Sequence, residues 1–111
     1  MLRLLFICSR NQLRSPTAEQ VFAQREGIEA ASAGLNHDSA ETVTPALVEW
    51  ADMIFVMEKA HLKKLRSRFG HYLKDQKVVC LDIPDKYEFM EPALVALLEG
   101  RVTPFLIAPH S

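Results

Sequence analysis

Only two cysteines, Cys8 and Cys80, occur in 111 residues. That excludes a disulfide scaffold, and no zinc-type cysteine pair exists. Neither charge is in surplus: 13 Lys and Arg against 14 Asp and Glu give a formal net charge of −1. The electrostatic case for nucleic acid or an anionic membrane is therefore missing. No apolar run approaches the roughly 20 residues of a membrane span. The "LLFIC" run is too short for the apolar part of a signal peptide, and no small-residue cleavage site follows. Internal repeats, low-complexity tracts and linkers are absent. The one shift in composition is the tail "TPFLIAPHS". The expectation is one domain spanning residues 1–111, in the cytoplasm.

What is present is an apolar fraction of 49%, that of a globular protein, arranged in short alternating blocks. Leu2 to Ile7 reads as a buried strand, being short, apolar and bounded by polar residues. Pro16 to about Arg25 reads as a helix, with Ser15 as its N-cap and Ala18, Val21 and Phe22 on one face. Gly27 leads into a second, alanine-rich strand, Ile28 to Ala33. Pro45 to Asp52 is predicted helical, Met53 to Met57 a strand, and Glu58 to Phe69 a helix ended by Gly70. Lys77 to Leu81 is a fourth strand, and Pro92 to Glu99 a last helix stopped by Gly100. Short strands without polar alternation, each followed by a helix, predict a parallel sheet covered on both faces. Ligands in such sheets sit at the carboxyl ends of the strands.

The first of those ends carries Cys8, then Ser9, Arg10, Asn11, Gln12 and Leu13, then Arg14 and Ser15 at a helix start. A loop wrapping into a helix N-terminus can converge several backbone N–H groups on one spot, which suits a tetrahedral oxyanion such as phosphate. Arg14 can clamp two of its oxygens. A cation in the first turn opposes the helix dipole, so it needs an anion to offset it. Cys8 would face the phosphorus from the floor of the cup. A free cysteine has a pKa near 8.5, and lowering it by roughly two to three units takes about 3–4 kcal/mol. A helix terminus supplies at most about 2 kcal/mol. The loop N–H groups, the Ser15 hydroxyl and Arg14 must supply the rest, and the same donors would hold phosphate.

"CSRNQLRS" followed by "PTAE" resembles the Cys-x5-Arg-Ser phosphate loop of the low-molecular-weight protein tyrosine phosphatases. So do "SAG" at Ser32 to Gly34, "ADMIFVME" at Ala51 to Glu58 and, more loosely, "DIPDKYEF" at Asp82 to Phe89. The likeness is strongest to a shortened bacterial branch. Leu13 stands where the family has a second cysteine, Ser9 and Arg10 where it has a large apolar residue and Gly, and the segment between Gly34 and Pro45 is short. The resemblance implies a sheet of strand order 2-1-3-4 and phosphomonoester hydrolysis through a cysteinyl-phosphate, without metal or other cofactor. It implies phosphate contacts from Ser9, Arg10, Asn11, Gln12, Leu13, Arg14 and Ser15, with Asn11 in a left-handed conformation. Phosphate, sulfate or vanadate should bind there. The implied substrate is a phosphotyrosine protein or small aryl phosphate, with a tyrosine kinase as partner.

Phosphoryl transfer leaves an alkoxide or phenoxide that needs a proton, which a carboxylic acid facing the cup can supply. Asp82 and Asp85 both follow the last strand. The resemblance, in which the acid precedes Pro-Tyr, selects Asp85 and leaves Asp82 as the alternative. It also puts Tyr87 at the substrate pocket, where an ordinary surface position is as good a reading. Blander readings compete elsewhere. Cys80 is expected to be structural, Trp50 core, and His37, His61, His71 and His110 solvated, including His61 three residues after Glu58. The rival activities are an arsenate reductase, which would need Cys80 as a relay thiol, and a phosphate-binding module without catalysis.

Overall fold

The computed structural model describes residues 1–106. Its elements in order are β1 (Leu2–Cys8), α1 (Arg14–Phe22), β2 (Ile28–Gly34), α2 (Pro45–Trp50), β3 (Met53–Val56), α3 (Lys59–Phe69), a 3₁₀ turn (Gly70–Tyr72), β4 (Lys77–Cys80) and α4 (Pro92–Leu106). The four strands form one parallel sheet in the order β2-β1-β3-β4. This is the architecture and strand order expected from the sequence.

The apolar run in β1 follows from its place. As a central strand it has both faces covered, and Leu4 to Cys8 are all buried. Leu4, Phe6 and Cys8 pack against Ala18 and Phe22 of α1 and Leu94, Leu98 and Val102 of α4. Leu5 and Ile7 face Val48 of α2 and Leu65 and Phe69 of α3. Phe6 stacks between Phe22 at 5.6 Å and Phe55 at 5.4 Å between ring centroids. Such aromatic pairs each add about 0.5–1.5 kcal/mol beyond their area. The carboxyl end of β1, where the loop of residues 9–13 begins, is thereby anchored in the buried part of a central strand.

Several boundaries differ from the sequence reading by one to three residues, among them the ends of α1 at Phe22 and α2 at Trp50, and two further differences bear on the core and the site. α4 does not stop at Gly100 but runs through it, and through Pro104, to Leu106. Leu94, Leu98 and Val102 recur every four residues and are all buried, so packing outweighs the local cost of glycine and proline. α1 starts two residues early, at Arg14, with Leu13 as its N-cap and no side-chain cap. Ser15 is thus inside the helix, and Pro16 is its third residue, where a missing N–H still costs nothing. Trp50 is half-buried against the α2–α3 core, as expected, while His37 and His71 are exposed. His110 lies outside the described residues.

Candidate active site

The loop of residues 9–13 joins Cys8, at the end of β1, to Arg14, at the start of α1. Its carbonyls are turned outward. Leu35 N–H donates to Cys8 O at 3.1 Å, Asn36 N–H to Ser9 O at 2.8 Å, and Ala40 N–H to Arg10 O at 3.2 Å. In a planar trans peptide the following N–H points the opposite way. The N–H groups of Ser9, Arg10 and Asn11 therefore turn inward, and Asn11 N–H donates to Cys8 Sγ at 3.2 Å. Asn11 holds this turn with φ 57°, the left-handed conformation that asparagine tolerates.

Gly34 permits the docking of the 35–40 segment. A Cβ there would meet Ser39 Oγ at 2.2 Å and Ser9 O at 2.8 Å. Ser39 Oγ, in turn, shares its one proton between Asn36 O at 2.6 Å and Ser9 O at 3.0 Å. The "SAG" motif is in this way part of the loop's outer wall.

Cys8 Sγ lies 2.9 Å from Ser15 Oγ, and Asn11 Nδ2 donates to the same Ser15 oxygen at 3.0 Å. With Asn11 Nδ2 occupying one lone pair, the Ser15 proton is free to point at the sulfur. The hydroxyl expected to cap the helix is thus committed to the thiol.

Arg14 is 3% exposed and is the first residue of α1. Its Nη1 donates to Glu58 Oε2 at 2.5 Å and to Ile83 O at 2.7 Å, and its Nε lies 3.7 Å from Asp85 Oδ1. These carboxylates offset a buried cation at the positive end of a helix. Ile83 is itself fixed, its N–H donating to Met57 O at 2.8 Å, and this sets where Asp85 emerges two residues later.

Cys8, Ser9, Arg10, Gln12, Leu13, Arg14 and Asp85 line one cleft of about 190 Å³. Small-molecule pockets usually run to about 300–1,000 Å³, so this one suits a single phosphoryl group with the rest of a substrate outside. Asp82 is elsewhere. It adopts φ 54°, with its carboxylate 3.5 Å from Cys80 Sγ and its carbonyl accepting from Arg101 Nη1 at 2.7 Å. Tyr87 is not among the residues lining the cleft. It packs against the α1–α4 core, with Lys86 Nζ 5.6 Å from its ring centre.

Cys80 is unpaired, packs on the α2–α3 face while Cys8 packs on the other, and is separated from β1 by β3. Two strand spacings are about 9.5 Å, beyond the roughly 7 Å Cα–Cα limit for a disulfide. Burial also pushes the Cys80 thiol pKa up, partly opposed by the Asp82 backbone.

His61 corrects its sequence reading. It is 3% exposed rather than solvated. As the third residue of α3 it shares a capping box with Glu58, whose N–H donates to His61 Nδ1 at 3.1 Å, while Nε2 lies 2.9 Å from Ser9 Oγ. Burial lowers its pKa to about 4, helped by Arg14 and Lys64 and opposed by Glu58 and Asp85. The ring is neutral at ordinary pH, and among the described residues no group of three metal-ligating side chains gathers. The three-residue spacing of Glu58 and His61 was the visible signal; it marked a cap.

The chain is similar to known proteins in sequence and in fold. The profile of the family described as "Low molecular weight phosphotyrosine protein phosphatase" matches residues 3–51. A protein-arginine-phosphatase of Bacillus subtilis (strain 168) is 32% identical over a 97-residue alignment covering 62% of this chain and 64% of that protein. The chain thus spans under two thirds of the length of that curated relative. The YwlE arginine phosphatase of Geobacillus stearothermophilus superposes with a TM-score of 0.71 over 100% of both chains at 19% identity. The tyrosine phosphatase Wzb of Escherichia coli K30, in complex with phosphate, does so with a TM-score of 0.72 over 95% of this chain and 96% of that one, at 22% identity. The loop of residues 9–13 lies inside the matched segment and the sheet has the fold of these structures, so the chain is similar to the low molecular weight phosphotyrosine protein phosphatases over residues 3–51 and shares their fold.

Proposed function

We propose that this protein is a metal-independent protein phosphatase that works through a cysteinyl-phosphate. The observation that carries the reading is the floor of the cleft: Cys8 Sγ accepts from Asn11 N–H and sits 2.9 Å from Ser15 Oγ, with Arg14 and Asp85 beside it. Both contacts converge on the sulfur that would attack phosphorus, and a thiolate is the nucleophilic form of a cysteine. The remaining edge of the Arg14 guanidinium and the inward N–H groups of residues 9–11 would hold the equatorial oxygens.

In the first step Cys8 sulfur bonds to phosphorus as the phosphorus–leaving-atom bond breaks, and Asp85 gives its proton to the leaving atom. In the second step water attacks phosphorus, Asp85 takes its proton, and the sulfur–phosphorus bond breaks. The products are inorganic phosphate and the original thiolate. A relay through Cys80, as a reductase needs, does not fit two thiols on opposite faces of the sheet.

The family supports phosphotyrosine as substrate, a tyrosine kinase as the enzyme it opposes, and the cytoplasm, where a thiolate nucleophile stays reduced. A second reading is phosphoarginine. Among the described residues no aromatic side chain lines the cleft, and Gln12, Leu13 and Asp85 do, a better match for a guanidinium than for a phenol ring. The Bacillus subtilis relative bears that activity in its name. The test is hydrolysis of matched phosphotyrosine and phosphoarginine peptides without metal by the wild type and by Cys8→Ser. Cys8→Ser should lose turnover and still bind phosphate or vanadate; turnover in that variant would end the covalent reading. The ratio of kcat/KM for the two peptides chooses the substrate.

A further inference from the structure

Ser9 lines the cleft, and among the described residues its hydroxyl has one side-chain partner, His61, 52 positions away. The direction of that bond follows from the proton inventory. Glu58 N–H donates to His61 Nδ1, so Nδ1 carries a lone pair and the neutral ring has its proton on Nε2. Nε2–H therefore donates to Ser9 Oγ. The reverse would put a proton on Nδ1 facing the Glu58 N–H, donor against donor. Ser9 then uses a lone pair toward His61 and, among the described residues, keeps its own O–H uncommitted at a position that lines the cleft.

We propose that this O–H donates to an oxygen of the bound phosphoryl group, and that His61 is the positioning residue that aims it. The proposal rests on the reading of the cleft as a phosphate site. It assigns work to two side chains that a cup of backbone N–H groups and Arg14 does not require. It also gives the start of α3 a double role, because Glu58 holds Arg14 while His61, one turn on, holds Ser9. Both side chains of the capping box thus reach the phosphate loop. The groups facing the ring are Arg14 from α1, Glu58 and Lys64 from α3 and its cap, and Asp85 from the loop after β4. The ring stays neutral down to about pH 4, so the donor remains aimed wherever the enzyme is folded and its thiolate formed.

The experiment measures binding of inorganic phosphate to the full chain, by calorimetry in the Cys8→Ser background and by competitive inhibition in the active enzyme. Ser9→Ala should bind about tenfold more weakly, the usual effect of one hydrogen bond to a charged group. His61→Asn, whose amide oxygen replaces Nδ1 but whose side chain stops short of Ser9, should weaken binding as much. The double variant should be no weaker than either single one. His61→Gln, with an amide N–H able to reach Ser9, should recover most of the affinity. Thermal unfolding checks that each variant is folded; if His61→Asn is not, Ser9→Ala and His61→Gln decide the matter. Phosphate affinity within twofold of wild type in Ser9→Ala would overturn the proposal. So would multiplicative losses in the double variant, or a folded His61→Gln that binds no better than Ser9→Ala. Failure of the parent protein itself to bind phosphate would instead overturn the phosphate site, and this proposal with it.

Discussion

Arg14 is held from behind by Glu58, with Nη1 and Oε2 2.5 Å apart and the carbonyl of Ile83 2.7 Å from the same nitrogen. A guanidinium offers donors along two edges. Committing Nη1 to the protein leaves Nε and Nη2 as the edge for an anion, so the clamp is oriented before phosphate arrives. Preorganised donors of this kind avoid reorganisation during the reaction.

Glu58→Ala should therefore lower kcat/KM by roughly tenfold or more, since misorienting one clamp acts like losing part of a transition-state donor, which costs about 10²–10³ when complete. Glu58→Gln keeps an acceptor without the charge and should fall between. Arg14→Lys should lose nearly all activity, because an ammonium has no second edge. Steady-state kinetics on one aryl phosphate ranks all three. Wild-type rates in Glu58→Ala would mean that Ile83 O alone holds the arginine.

Gly34→Ala should damage the phosphate loop without touching it. The added Cβ would meet Ser39 Oγ, Ser39 Cβ and Ser9 O, all under 3 Å away, and the backbone carbonyl cannot swing aside as a side chain can. Overpacking of this sort costs about 1–3 kcal/mol. The loss should appear both as a lower unfolding midpoint and as weaker phosphate binding, since the segment that turns the loop carbonyls outward is displaced. A drop in stability with unchanged phosphate affinity would detach the 35–40 segment from the site.

The proposed nucleophile, the arginine proposed as its clamp, and the sheet were legible in the sequence for a physical reason. They lie within a single strand–loop–helix stretch, and their spacing is fixed by local geometry. What supports them was not, because it acts at long range: Glu58 meets Arg14 across 44 positions and His61 meets Ser9 across 52. A sequence shows that Glu58 and His61 are three apart, and does not show which way the helix presents them. Ser15 was misread as a cap because caps are the common use of serine before a helix. Here a nearby thiol and Asn11 compete for the hydroxyl and the helix begins earlier. α4 was read too short because Gly100 is a breaker only where nothing beyond it is buried, and Val102 is.

His61 predicts a pH dependence of stability. Its pKa falls from 6.5 to about 4 on folding, so between those values the unfolded chain takes up a proton that the folded one refuses. The contribution is complete above pH 6.5 and is lost as pH falls toward 4, by at most about 3 kcal/mol. Urea unfolding at pH 7 and pH 4.5 should show this loss in the wild type and a smaller one in His61→Gln, which does not titrate. Exposed His37 and His71 are common to both proteins and cancel. Parallel losses would mean that the ring is not held neutral by burial.

Asp85 and Asp82 are separated by their surroundings, and the leaving group can tell them apart. Asp85 lines the cleft 3.7 Å from Arg14, whereas Asp82 faces Cys80 and the end of α4. A general acid matters in proportion to how badly the leaving atom needs a proton, and is typically worth about 10²–10⁴-fold. Asp85→Asn should slow hydrolysis of a phosphotyrosine peptide strongly and of an activated nitrophenyl phosphate much less. Asp82→Asn should leave the leaving-group dependence unchanged and alter stability only slightly, since its carbonyl, not its carboxylate, takes the Arg101 hydrogen bond. If the two variants exchange these behaviours, the loop after β4 must rearrange to bring Asp82 to the cleft during turnover. If neither shows leaving-group dependence, the proton donor is the other carboxylate at Arg14, Glu58, and Glu58→Gln should then reproduce the pattern expected of Asp85→Asn.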